Sequence, residues 1–209
     1  MPGSEAPSRE RAAARRGPRK VTAKSLENMA LFYLERHASS VANFRQVLMR
    51  KVARSVRAHD TDAEAGAALV EALIARYRRV GLLDDRAYAL GRVASRHRQG
   101  DSVRAIRAKL RAKGVADDDI AAALAALARD VGAAAPGALD LRAACAYARR
   151  RRLGPWRPED ERPARRERDL AALARAGFGY DTARRVIEVD SVAALAAMID
   201  EAATGADLT

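Results

Sequence analysis

One stretch of this chain is written more than once, and that repetition limits the possible folds more than any other feature. Laid on itself with an offset of 62 residues, the sequence puts Ser40, Leu48 and Lys51 on Ser102, Leu110 and Lys113, Phe44 on Ile106, and Arg45 on Arg107. A further shift of 63 puts Leu110 on Leu173 and Gly114 on Gly177, so that the turn "KGV" meets "AGF". Self-similarity at such a period marks a repeat architecture, in which each unit completes its core against a neighbour. In the middle copy, "SVRAIRAKLRAKGV" at 102–115, Val103, Ile106 and Leu110 recur at helical spacing. Gly114 suits the left-handed residue that ends a helix, with Val115 folding back as its apolar contact, and Gly177 with Phe178 repeats the device. The first copy has Val52 where the glycine belongs, so its helix is expected to overrun to about Arg57.

The rest of the sequence reads as helix almost throughout. "TDAEAGAALVEALIARYRRVG" opens on a capping box of Thr61 with Glu64, sets Leu69, Val70, Leu73, Ile74 and Tyr77 on one face, and stops at Gly81. The next helix is expected to start from Asp84 as N-cap and to end at Gly100, and "ADDDIAAALAALARD" carries Ile120, Leu124 and Leu127 at helical spacing. Hydrophobic residues make up 49% of the chain, dominated by alanine, with 4% aromatic, a helix-favouring choice, and no convincing strand appears. The fold class predicted is therefore all-α, built from tandem three-helix repeats at 25–80, 81–132 and 138–190, with a linker at 131–137 and a C-terminal helix and tail at 191–209. Units of 55–60 residues are marginal alone, so each is expected to lean on its neighbours. Residues 1–24, with seven basic and two acidic side chains among Pro, Gly and Ser, are expected to be a disordered tail that adds either solubility or nonspecific affinity for polyanions.

Charge and residue types then restrict function. Lys+Arg 39 against Asp+Glu 27 gives +12, which calls for an acidic partner, nucleic acid or a protein carrying it, ahead of a membrane surface. No apolar run is long enough for a membrane span or a secretory signal, and the single cysteine, Cys145, excludes an internal disulfide; a cytoplasmic protein is expected. His37, His59 and His97 are solitary, and the aspartates at 84–85 and 117–119 stand at expected helix starts, where carboxylates cap amides and complement the helix dipole. Cys145 lies on the stripe of Leu141, Ala144 and Ala148 and reads as a buried structural thiol. No phosphate loop or dinucleotide fingerprint is present, so neither catalysis, cofactor nor metal is expected.

The candidate contact residues are basic. Arg104, Arg107 and Arg111 follow one flank of the middle helix, and Lys109 and Lys113 the other; Arg50, Arg54 and Arg57 line the overrunning first helix. Each row reads either as a track for phosphates or an acidic protein surface, or as a solvated charged face. The cations of "RRRR" at 149–152 also suit a helix C-terminus, and Trp156 reads as an exposed anchor or as a plug for the third core.

Taken in order, "GLLDDRAYA" at 81–89, "SVRAIRAKLRAKGV" and "RRERDLAALARAGFGYDTARRVI" resemble the RecX family, and the likeness runs over about residues 26–187. The resemblance implies an elongated, curved body of three-helix repeats and a regulator of the RecA recombinase. It further implies binding in the groove of the RecA filament on DNA, suppression of its ATPase and strand exchange, and limited filament growth or promoted disassembly, and with these a role in modulating recombinational repair and the SOS response. The expected partners are the RecA filament and DNA, either within the filament or weakly alone, with no membrane, and the chain itself is expected to be monomeric. The residues alone leave a second reading open, a helical DNA-binding or RNA-binding protein whose arginines meet phosphates directly.

Overall fold

A computed structural model describes residues 20–133 and 135–204, all-α, with ten α-helices and no strand among them. The chain divides into two compact units at the boundary between Asp84 and Asp85. Of the tail expected at 1–24, residues 1–19 lie outside the described residues. The first helix, α1 (Ala23–Arg36), begins inside that stretch because Thr22 and Ser25 form a reciprocal capping box.

In the first unit α1, α2 (Val41–Ala58) and α3 (Ala63–Arg79) close around Leu26, Phe44, Leu48, Val52, Val70, Ile74 and Tyr77. Lacking a glycine stop, α2 overruns through Arg57 to Ala58. The cap of α3 differs from the expected Thr61–Glu64 box: Asp62 accepts from the amides of Glu64 and Ala65, and Thr61 is taken up by a 2.8 Å hydrogen bond to Ser55 Oγ. Leu69, expected in the core, is exposed, since the apolar stripe of α3 is narrower than its run of apolar residues. At Gly81 (φ +74°) the chain turns back and brings the amides of Leu82 and Leu83 to the carbonyl of Tyr77. Leu83 is thereby buried in this first core, and Gly81–Leu83 belong here rather than to the second repeat.

The second unit holds the other two repeats. One core joins α4 (Asp85–Arg98), α5 (Val103–Arg111) and α6 (Asp117–Asp130) through Val93, Ile106, Leu110, Ile120 and Leu124. The other joins α7 (Ala138–Arg151), α8 (Arg162–Ala176), α9 (Tyr180–Ile187) and α10 (Val192–Thr204) through Leu141, Leu173, Phe178, Val186 and Leu195. The repeated stop is present in both copies: Gly114 (φ +73°) and Gly177 (φ +98°) are left-handed, and Val115 and Phe178 return their amides to Leu110 and Leu173 at 3.2 Å each. Asp117, Asp118 and Asp119 occupy the first turn of α6 rather than its cap; the N-cap is Ala116, so they act on the helix dipole without capping an amide. Cys145 is buried, and Trp156 packs half-buried against the third core.

The two cores of this unit are tied by polar contacts. The α4 end meets α7, where His97 Nε2 is 2.8 Å from the carbonyl of Leu139 and Arg150 donates to the carbonyl of Gln99 at 2.6 Å. The amide of Val103 donates to Asp140 Oδ1 (2.8 Å), so α7 supplies a cap for α5. Gly100, at φ +82°, approaches so closely that a Cβ there would lie 2.7 Å from the backbone nitrogen of Tyr147. The connection 153–161 is pinned by Asp169, which is 2% exposed and accepts from the amide of Gly154 and from both Nε and Nη2 of Arg157 at 2.7–3.0 Å.

Candidate basic contact surface

The cations of α5 are placed by the alternation of its narrow apolar stripe with charged positions. Arg104 and Arg111 are exposed and Arg107 is half-buried along one flank; Lys109 is exposed on the other flank, and Lys113 is exposed in the turn before Gly114. Much of this charge is already engaged. Arg111 Nε donates to Asp117 Oδ1 at 2.6 Å, a hydrogen bond that raises the guanidinium pKa and lowers that of the carboxyl, with the Arg111 and Arg107 charges adding to the latter. Lys109 Nζ donates to Asp101 Oδ2 at 2.6 Å, and Arg96 stands 3.6 Å from the same oxygen. Arg104 lies over the C-terminus of α8, with its Nε 3.3 Å from where a Gly177 Cβ would be, a position the dipole of that helix favours for a cation.

The row on α2 is different. Arg50, Arg54 and Arg57, at i, i+4 and i+7, are all exposed on the last turns of the helix, and none forms an ion pair among the described residues. Arg45, the repeat partner of Arg107, is instead held in a bidentate pair with Glu71 at 2.6 and 2.8 Å, whose hydrogen bonds raise the arginine pKa and lower that of the glutamate. The overrun thus adds an open guanidinium row to the first unit that the shorter α5 does not have. Each row is a feature of its own unit.

Arg149, Arg150 and Arg151 sit in the last turn of α7, where Arg150 and Arg151 also lie over the Tyr147 ring. No group of three or more His, Cys, Asp or Glu that could hold a metal occurs among the described residues, and no helix there is long and apolar enough to cross a membrane.

A family model described as the second three-helix domain of RecX matches residues 84–124. The regulatory protein RecX of Myxococcus xanthus (strain DK1622) is 42% identical over 172 residues, covering 82% of this chain and 88% of the relative. The chain belongs to the RecX family. The regulatory protein RecX of Agrobacterium fabrum (strain C58) is 32% identical over 164 residues, 77% of this chain and 80% of that protein. No solved structure matches. The segment matching the second RecX domain spans α4, α5 and the first half of α6, so it includes Arg104, Arg107, Lys109, Arg111 and Lys113. It starts at the residue where the two compact units divide.

Sequence reasoning missed residues on two faces of this RecX-family chain. Lys51 lies three residues before Arg54, and the two face an apolar groove together with Met29 and Phe32. The signal was the unused apolar excess of "NMALF": Leu31 and Phe32 remain 46% and 59% exposed. On α8, Arg165, Arg168 and Arg175 are exposed, although the positions matching Arg104, Arg107 and Arg111 hold Glu167, Leu170 and Ala174. The arginine row itself is therefore not a repeated feature, even where the packing positions are.

Proposed function

We propose that this chain is a non-enzymatic regulator of the RecA recombinase. It acts in the cytoplasm as a monomer, binds the RecA filament on DNA, and inhibits its ATPase and strand exchange, thereby modulating recombinational repair and the SOS response. The observation that carries this reading is the 42% identity to a regulatory protein RecX over 82% of the chain. The charge pattern supports it. A filament on DNA presents phosphates and carboxylates together, and Arg50, Arg54 and Arg57 offer guanidiniums with no ion-pair partner of their own among the described residues. On α5, Arg107 and Arg104 are the stronger candidates, because Arg111 and Lys109 must first leave Asp117 and Asp101.

The same open row favours a second reading, direct binding of DNA or RNA through phosphates. The two are separated by comparing association with naked single-stranded DNA and with a RecA filament at about 150 mM salt, where affinity from phosphates alone is strongly weakened. Retained filament binding with inhibition of the DNA-dependent ATPase supports the regulator; equal, salt-steep binding to both supports the nucleic-acid reading. Replacing Arg50, Arg54 and Arg57 together by Gln tests the surface, since exposed arginines contribute little to stability. Undiminished inhibition by that variant would remove the row from the interface.

A further inference from the structure

The first unit carries a groove of about 500 Å³ between α1 and the overrunning end of α2. Val21, Met29 and Phe32 supply its apolar surface, and Lys51 and Arg54 stand along it. Its wall is fixed: the amide of Val21 donates to Ser55 Oγ at 2.9 Å, and that buried hydroxyl is bonded in turn to Thr61. Phe32 is 59% exposed with the Arg36 guanidinium 3.7 Å from its ring centroid, and its neighbour Leu31 is 46% exposed. None of the residues lining the groove is acidic, and neither Lys51 nor Arg54 takes part in an ion pair among the described residues. The size is that of a pocket which takes in side chains, and exposed aromatic and methionine surface beside cations is the composition of a recognition site.

We propose that this groove is a docking site for an acidic, amphipathic segment of a partner protein, whose apolar side chains enter against Met29 and Phe32 while its carboxylates meet Lys51 and Arg54. Charge decides the occupant. The chain's own residues 1–19 carry five arginines against two glutamates and would bring like charge to both cations. A nucleic acid backbone finds phosphate partners in Lys51 and Arg54 but nothing for the Val21, Met29 and Phe32 surface, whereas a segment that alternates apolar and acidic side chains satisfies both. The groove shares Arg54 with the proposed contact row, but Val21, Met29, Phe32 and Lys51 lie outside that row, and the site is defined by the peptide chemistry it accepts, whether or not the RecA filament supplies that peptide.

The test uses the full chain and a short fluorescein-labelled peptide with Phe and Leu at helical spacing among Glu and Asp, read by fluorescence anisotropy at about 150 mM salt. Binding is expected to weaken at least about tenfold when the peptide's Phe and Leu are replaced by Ser, and by as much again in Phe32→Ser or in Lys51→Glu/Arg54→Glu. Phe32 and Arg54 are exposed, so these variants should keep the parent circular dichroism spectrum; Lys51→Gln/Arg54→Gln gives the same reading if charge reversal perturbs folding. No binding, binding indifferent to the Phe32 and Lys51/Arg54 changes, or equal binding of the Ser peptide overturns the proposal. So does binding of phosphatidylserine vesicles or single-stranded DNA, but not the peptide, that is lost in the same variants. RecA ATPase inhibition is measured on the parent and on Phe32→Ser, which leaves the Arg50, Arg54 and Arg57 row intact: a parent that binds the peptide without inhibiting RecA fails the regulator reading alone, and a parent that inhibits RecA without binding the peptide fails the groove alone.

Discussion

The hydroxyl of Ser102, at the start of α5, donates a 2.9 Å hydrogen bond to the carbonyl of Ala176, at the end of α8. The same oxygen accepts from the amide of Ala105 at 3.2 Å, so one buried side chain finishes the N-terminus of one helix and the C-terminus of another, 74 residues away. Ser102→Ala is expected to cost about 2 kcal/mol, combining a lost cap with a carbonyl left without this donor. Urea denaturation measures it, and an effect near zero would mean that water replaces the hydroxyl.

Gly66 and Gly91 predict opposite outcomes for the same substitution. A Cβ on Gly66 would lie 2.5 Å from Val52 Cγ1, while nothing lies within 4 Å of one on Gly91. Gly91→Ala should raise stability by up to ~1 kcal/mol through helix propensity. Gly66→Ala gains the same propensity but overpacks the first core by ~1–3 kcal/mol, so its melting temperature should fall. Calorimetry on both variants checks the signs.

Asp117 competes with any partner for Arg111. Asp117→Asn should free the guanidinium and tighten binding to a RecA filament, with a steeper dependence on salt, whereas Arg111→Gln should weaken or leave unchanged the same binding. Titrations at two ionic strengths decide this; weaker binding by Asp117→Asn would show that the carboxylate itself contributes to the interface.

Burial pushes the Cys145 thiol up from the ordinary 9.0 to about 11, against the opposing charges of Arg142 and Arg185. At pH 8 the folded protein should react slowly with a thiol reagent such as 5,5′-dithiobis(2-nitrobenzoate), and quickly once unfolded. Because the folded pKa is the higher one, the unfolded chain releases this proton first. The stabilising contribution is complete below about pH 9 and is lost as the pH rises towards 11. Cys145→Ala should flatten that part of the stability profile.

Asp169→Ala is expected to be among the most damaging single changes, about 3–5 kcal/mol, because it leaves Arg157 and the Gly154 amide without their shared acceptor. Loss of near-ultraviolet signal from Trp156 at lower urea concentration would report release of the 153–161 connection.

The repeat period, the helix stops at Gly114 and Gly177 and the overrun of α2 were legible because packing and backbone sterics act locally and leave a spacing in the sequence. Asp169 shows where that ends. Its repeat partners are Phe44 and Ile106, both fully buried, and periodicity alone would fill its position with an apolar side chain. The compensating Arg157 comes from a proline-rich connection whose course no local pattern fixes. The same holds for the candidate surface. A helical wheel finds Arg104, Arg107 and Arg111 on one flank, but the pairing of Arg111 with Asp117 depends on how the turn at Gly114 returns the chain, and the exposure of Phe32 depends on which face of α1 the first core takes up.

The shared caps at Ser102 and Asp140 have a consequence for how the chain comes apart. Unfolding the second repeat strips the α8 end of its hydroxyl donor, and unfolding the third removes the carboxylate that holds the Val103 amide. Neither can open without raising the free energy of the other, so amide exchange in α5 and α8 should report one opening event with a common free energy. The period of 62–63 residues is a period of sequence, and the cooperative quantum is expected to be larger: the second and third copies should melt as a pair, two repeats in the alphabet but one in the thermodynamics.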